Sequence, residues 1–179
     1  MNLYIRVMVL FIKRIFYFNK TDPFDTCETK FIVNPLDLDV NFHMNNGRYL
    51  SIMDLGRTDL MLKAGVFWKI IKAGFYPVVA SESIRFKKSL QPFQKFKLLT
   101  TIESWDEKDF FIIQQFIYKN TVVAEGYIKG RFKQWGRKGS VPTSEVFAVI
   151  GRSFESIQLS KLAEAQKSLE KMLAPEEKE

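Results

Sequence analysis

A chain of 179 residues and 21.0 kDa is long enough for one domain that buries its own core without disulfide or metal staples. Its 46% hydrophobic and 15% aromatic content, with 17 Phe, excludes a disordered polypeptide. Twenty-seven Lys and Arg against 20 Asp and Glu give +7 and a pI near 9.4, which favours polyanionic partners in general. The cations are scattered along the chain and belong to no recognisable module, so nucleic acid is not expected among the partners. One cysteine, Cys27, permits no intrachain disulfide, and no residues have zinc spacing. These features predict a reducing, cytoplasmic setting and no bound metal.

The first twenty residues, MNLYIRVMVLFIKRIFYFNK, have no uninterrupted apolar run longer than the six residues from Val7 to Ile12, and no small-residue cleavage site follows. A membrane span and an export signal are therefore both unexpected. Arg6, Lys13 and Lys20 recur every seven positions and, with Asn2, would form one polar stripe on a helix that leaves a wide apolar face. Two readings stand side by side. That face covers the protein's own core or a partner subunit, or residues 1–20 are a basic amphipathic helix resting peripherally on an anionic membrane.

Residues 28–33, ETKFIV, read as a short strand after the turn-like NKTDP. The period then changes, and Tyr49, Met53, Gly56, Leu60 and Ala64 fall on one helical face that Gly65 ends. Glycine in mid-helix costs about 1 kcal/mol against alanine, so Gly56 predicts a close approach to another backbone. Four strands follow, at Pro77–Lys88, Lys95–Trp105, Phe110–Tyr118 and Val122–Gln134, separated by turn clusters such as DEKD and KN. In the last, Ala124, Gly126, Ile128, Gly130 and Phe132 share one face and Glu125, Tyr127, Lys129, Arg131 and Lys133 the other. The first face suits a closely pressed helix. Ser153 to Leu173 reads as a polar amphipathic helix before a charged tail. The economical architecture is one α+β unit with a core at about 26–150 and a helix laid on an antiparallel sheet.

The segment DLDVNFHMNNGRY, residues 37–49, concentrates the chain's chemistry: two acids, its only histidine and three asparagines. Asn45 and Asn46 before a helical pattern look like an N-cap. Asp37 reads as a solvated turn residue. Asp39, two residues before Asn41 and four before His43, has no such explanation. Elsewhere the options are few. G-x-S-x-G, a phosphate loop and G-x-G-x-x-G are all absent, so a serine triad, phosphoryl transfer and dinucleotide chemistry lack support and no cofactor is expected. A Cys27–His43 nucleophilic pair is left open, although a lone cysteine is more often a small buried hydrophobe. A carboxylate beside a helix N-terminus has a definite use: the N–H groups and dipole hold a developing oxyanion while the carboxylate attacks or activates water.

The run DLDVNFHMNN resembles the active-site segment of plant fatty acyl-ACP thioesterases and, more loosely, of the bacterial 4-hydroxybenzoyl-CoA thioesterase group, and HMNNGRYLSIMDLGR resembles the start of their central helix. The whole chain is similar to thioesterase-like proteins related to mammalian thioesterase superfamily member 6. The resemblance implies the hotdog fold, an antiparallel sheet wrapped around a long helix, here with N- and C-terminal accessory helices. It implies hydrolysis of an acyl-CoA or acyl-ACP, with Asp39 as catalytic carboxylate, Asn41 and His43 as its polar companions, and N–H groups near Asn45 and Asn46 polarising the carbonyl. One hotdog repeat in place of the plant enzymes' two implies a homodimer or higher oligomer. Asp54 and Arg57 fit an intrahelical ion pair. Arg85, Lys87 and Lys88, with Lys95 and Lys97, either guard a strand edge or meet the phosphates of coenzyme A. The rival from another class is a non-catalytic, membrane-associated acyl- or lipid-binding protein on the same fold.

Overall fold

A computed structural model describes residues 2–16, 21–155 and 157–173. The chain runs α1 (Asn2–Phe16), β1 (Cys27–Ile32), a 3-10 turn (Pro35–Asp37), α2 (Asn46–Lys63), α3 (Phe67–Lys72), β2 (Phe75–Phe86), β3 (Lys95–Trp105), β4 (Phe110–Tyr118), β5 (Thr121–Gln134), α4 (Thr143–Ile150) and α5 (Lys161–Leu173). The strands form one antiparallel sheet in the order β1-β3-β4-β5-β2, so β1 and β2 are its edges. With α2 laid on one face, this is the α+β hotdog arrangement expected from the sequence.

Glycine is what seats α2. A Cβ on Gly56 would lie 2.5 Å from Leu98 Cδ2, 2.8 Å from Gln114 Nε2 and 2.9 Å from Thr100 Oγ1, and one on Gly126 of β5 would overlap the Met53 side chain. The helix backbone at Gly56 therefore rests on sheet side chains and the sheet backbone at Gly126 on a helix side chain, and Met44, Tyr49, Ile52, Met53, Leu98, Phe116 and Ala124 close around these two points as the main core. Gln114, fully buried, donates from Nε2 to Thr100 Oγ1 (2.8 Å) and Met53 O (3.0 Å) and accepts from Arg57 Nη1 (2.8 Å). Arg57 also pairs with Asp54, the intrahelical contact foreseen in the sequence.

The second core lies beyond the C-terminal end of α2, where α3 and α4 bring Val66, Ile70, Val146 and Phe147 against Phe75, Trp105 and Phe110. Neither short helix was anticipated. The expected helix from Ser153 is also shorter than its pattern suggested. It begins at Lys161, where Ser160 Oγ accepts from Ala163 N–H at 3.1 Å as a cap. Before it, the backbone is anchored at Glu155, whose carbonyl accepts from Trp105 Nε1 at 2.8 Å. α5 also covers part of the polar face of β5, so Lys129 is buried between Asp109 (3.1 Å) and Glu170.

Two further expectations are corrected. Asp37 is not a solvated turn residue but is 2% exposed. Its carboxylate pairs with Arg6 of α1 and accepts Asn34 N–H at 2.8 Å, completing a reciprocal cap in which Asn34 Oδ1 accepts Leu36 N–H at 3.0 Å. The polar stripe of α1 is also reversed at the one position where it is described, for Arg6 points inward to Asp37 and to Ile32 O (3.2 Å). Lys20 and the side chain of Lys13 lie outside the described residues.

Two stability measurements check this packing. Gly56→Ala is expected to destabilise by ~1–3 kcal/mol in denaturant unfolding, because overpacking at the sheet outweighs alanine's better helix propensity. Asp37→Asn is expected to cost at least ~2 kcal/mol, since it strands Arg6 in a partly buried site. A near-neutral result for either would remove the corresponding contact from the account.

Candidate active site

The loop from Leu38 to Met44 is a closed turn. Leu38 and Met44 bridge as antiparallel partners, Asp39 N–H donates to His43 O at 3.0 Å and Phe42 N–H to Asp39 O at 3.1 Å. Phe42 takes φ of 56°, the left-handed conformation that lets the chain reverse in so few residues. Asp39 and His43 thus stand side by side at the base of the turn, while Val40 and Phe42 project from its tip at 91% and 76% exposure. The sequence spacing of four is converted into adjacency by the reversal.

Asp39 is 19% exposed at its side chain. Its Oδ1 accepts Asn41 N–H at 2.9 Å, and its Oδ2 lies 3.4 Å from His43 Nδ1, close but off the alignment of a hydrogen bond. One carboxylate oxygen is therefore committed to shaping the turn and the other faces the imidazole. Asn41 meets Asp39 through its backbone, and the residue is exposed. Asp39, Asn41 and His43 are brought together as the sequence suggested.

The helix start is organised by Asn45. As N-cap its Oδ1 accepts Gly47 N–H at 2.9 Å, so the cap reading holds for this residue. Its own N–H donates to Asp37 O at 2.8 Å, which corrects its expected role as a carbonyl donor. Asn46 occupies the first helical position, where a backbone N–H has no partner within its own helix. The sequence could not distinguish these neighbours, because the spent N–H depends on where Asp37 lies.

The basic segment after β2 also reaches this turn. Met44 N–H donates to Leu90 O at 2.8 Å, and the Tyr49 hydroxyl hydrogen-bonds the Leu90 backbone, with burial pushing the Tyr49 phenol up from its ordinary range. Arg85, Lys87 and Lys88 are exposed just before Leu90, although Lys87 pairs with Glu125 at 3.3 Å and, farther on, Lys97 with Glu28 at 2.9 Å. The Cys27–His43 pair is eliminated. Cys27 is buried beside Lys63 (Sγ to Nζ 3.4 Å) at the last residue of α2, whereas His43 precedes its first, and 18 residues of helix span about 27 Å. Burial raises the Cys27 thiol further from reactivity.

An apolar cavity of about 340 Å³ runs between α2 and the two cores, with Met61, Val78, Ile102, Ile128, Phe132 and Val146 among its walls and Asp54 and Arg57 at its polar margin. Sequence patterning gave no sign of it, since half its walls come from α3, α4 and the strand ends facing them. On α2 its lining starts at Asp54, eight residues or about 12 Å along the helix from Asn46.

Comparison with known proteins agrees with this arrangement. Residues 33–161, which contain the Asp39 turn, α2 and the strands β2 to β5, match the family model described as the thioesterase-like superfamily. A Xenopus laevis protein named THEM6 is 38% identical over 48% of this chain and 42% of its own length, and a probable thioesterase of Saccharomyces cerevisiae is 33% identical over 61% of this chain and 48% of its own. The matched stretch thus spans under half the length of these curated relatives. Among solved structures, a DHNA-CoA thioesterase from Staphylococcus aureus superposes with a TM-score of 0.63 at 14% identity, covering 84% of this chain and 96% of that one. The chain belongs to the thioesterase-like superfamily.

Proposed function

We propose that the protein hydrolyses fatty acyl-CoA thioesters at the Asp39 turn. The observation that carries this reading is the placement of the Asp39 carboxylate, flanked by His43, on the closed turn that leads into the N-terminus of α2. A thioester carbonyl set at that terminus meets the Asn46 N–H and the positive end of the helix dipole, which stabilise the oxygen as it gains charge. Asp39 then attacks the carbonyl carbon directly or takes a proton from the water that does. Direct attack breaks the C–S bond and leaves a mixed anhydride on Asp39, which a water then hydrolyses to the fatty acid and free Asp39. The water route gives the fatty acid without that intermediate, and in both the departing thiolate takes up a proton to leave as the coenzyme A thiol. His43 Nδ1, 3.4 Å from Asp39 Oδ2, positions the carboxylate.

The substrate class rests on two features. The cavity beside α2 is apolar and of a size for an acyl tail. The exposed Arg85 and Lys88 sit on the segment that Leu90 fastens to the turn, where the phosphates of coenzyme A find cations. Acyl-ACP offers the same thioester with a protein surface attached, and parallel assays with the two carriers separate them. A chain-length series of acyl-CoAs identifies the preferred tail.

The active species is proposed to be a homodimer or higher oligomer. Among the described residues β2 is an edge strand paired with β5, and Leu36, Val40, Phe42 and Phe93 leave apolar side chains exposed on and near the catalytic turn. The cavity lining does not include Asp39, which suits a site completed between subunits.

Asp39→Asn keeps size and hydrogen-bonding capacity and removes the reactive charge, so kcat on acyl-CoA is expected to fall by at least ~10²-fold in a protein that still folds. Retention of most of the rate would reduce the turn to a cap. In light scattering with activity measured on the same fractions, hydrolysis should accompany a mass of two chains or more; an active single chain would refute the oligomeric site.

A further inference from the structure

One apolar face of α1 is turned away from the protein. Tyr4, Ile5, Met8, Val9 and Ile12 are spaced by one, three, one and three residues, which places them on one helical face, and all five are exposed, Tyr4 at 79% and Met8 at 56%. The opposite face holds the helix down. Leu10 is buried, Phe11 packs edge-on against Phe67 at 5.3 Å and Trp68 at 6.2 Å, and Arg6 pairs with Asp37. An ordinary surface helix turns its charges outward and its apolar stripe inward; α1 turns the Arg6 guanidinium inward and a second apolar stripe outward. Trp68 of α3, 59% exposed, and Ile71 continue the surface beyond Phe11. A contiguous apolar patch of this kind marks an interaction surface.

We propose that this patch docks the protein onto an anionic lipid bilayer surface. Charge identifies the occupant. Residues 1–21 and 60–81, which include all of α1 and α3, contain no Asp or Glu and seven basic residues. Of these, Arg6 and Lys63 are engaged with Asp37 and Asp59, while Lys69 and Lys72 are exposed on α3 beside Trp68 and Ile71. Lys69 and Lys72, the exposed cations described at this face, complement anionic headgroups, and Tyr4 and Trp68 are the amphipathic aromatics that settle at headgroup depth. A second copy fits less well, because an isologous contact sets these exposed lysines against their own copies. No helix among the described residues is long and apolar enough to cross a membrane, and the docking proposed is peripheral, with α1 lying in the interface. Because Arg6 fastens α1 to Asp37, the docked helix is also tied to the turn that carries Asp39. The docking itself does not depend on the proposed hydrolysis.

The full chain is tested by co-sedimentation with vesicles of phosphatidylcholine alone and of phosphatidylcholine mixed with phosphatidylserine. Retention is expected on the mixed vesicles, less on the neutral ones, and to fall as salt is added. The double variant M8E/I12E should lower retention on mixed vesicles ~10-fold or more, as expected from the loss of two inserted apolar side chains. Hydrolysis of micelle-free acyl-CoA in solution should be unchanged. Should that variant fail to fold, Tyr4→Ser with Trp68→Ser removes the aromatic anchors without adding charge and is expected to act in the same direction. Equal retention on both vesicle types, no retention on either, or variants that bind as well as wild type would overturn the proposal. So would variants that leave vesicle binding unchanged but convert a larger oligomer to a smaller one, which would assign the face to a second copy.

Discussion

Asp37 joins three parts of the chain that are far apart in sequence. Its carboxylate takes the Arg6 guanidinium from α1 and the Asn34 N–H that starts the 3-10 turn, and its carbonyl takes the Asn45 N–H that starts α2. A buried carboxylate is costly unless each oxygen is met by a donor, and here the donors come from separate elements. The geometry of the following turn is inherited from that anchoring. With residue 37 fixed at one end and residue 45 fixed to it by a hydrogen bond, the seven residues between must fold back, and Asp39 and His43 become neighbours.

The other determinant is the depth at which α2 sits on the sheet. Gly56 and Gly126 remove the side chains that would hold the two apart, and buried Gln114 bridges Met53 O, Thr100 and Arg57 across the contact. The face of α2 that carries Tyr49, Met53 and Gly56 is therefore pressed closely on the sheet, while Thr58, Met61 and the cap residue Ala64 line the apolar cavity toward α3 and α4. In the proposed reaction, one helix supplies both a polar start for the reacting group and an apolar flank for a tail. The same close packing keeps the helix dipole fixed relative to Asp39, a requirement for preorganised charge stabilisation.

Much of this was legible in the sequence, for identifiable reasons. The strands carry period-two alternation with turn residues between them, and the face from Tyr49 to Ala64 carries the helical period, so local pattern and tertiary burial agree. The mid-helix glycine was interpretable because its cost demands a compensating contact. Asp39, Asn41 and His43 stood out because capping explained only their asparagine neighbours. What failed depended on partners distant in sequence. Asp37 looks like a turn acid until Arg6, 31 residues earlier, is placed beside it. Phe67–Lys72 and Thr143–Ile150 are too short and too apolar to show amphipathic period, and the Ser160 cap that starts the last helix at Lys161 does not stand out in its local pattern. The orientation of α1 stayed open in the sequence because nothing local shows that Arg6 of its basic stripe, ordinarily solvated, has a buried carboxylate to meet.

The central claim is that Asp39 and the start of α2 act together on one thioester carbonyl. It is tested most directly by a crystal structure of the protein bound to a ketone analogue of an acyl-CoA, in which a methylene inserted between carbonyl and sulfur removes the scissile bond and keeps the carbonyl. The account requires the carbonyl oxygen within hydrogen-bond distance of the Asn46 N–H, the Asp39 carboxylate or a water it holds facing the carbonyl carbon, and the tail in the apolar cavity of the same or a partner subunit. A carbonyl bound away from the N-terminus of α2, with Asp39 still turned into its own loop and out of reach, would contradict it.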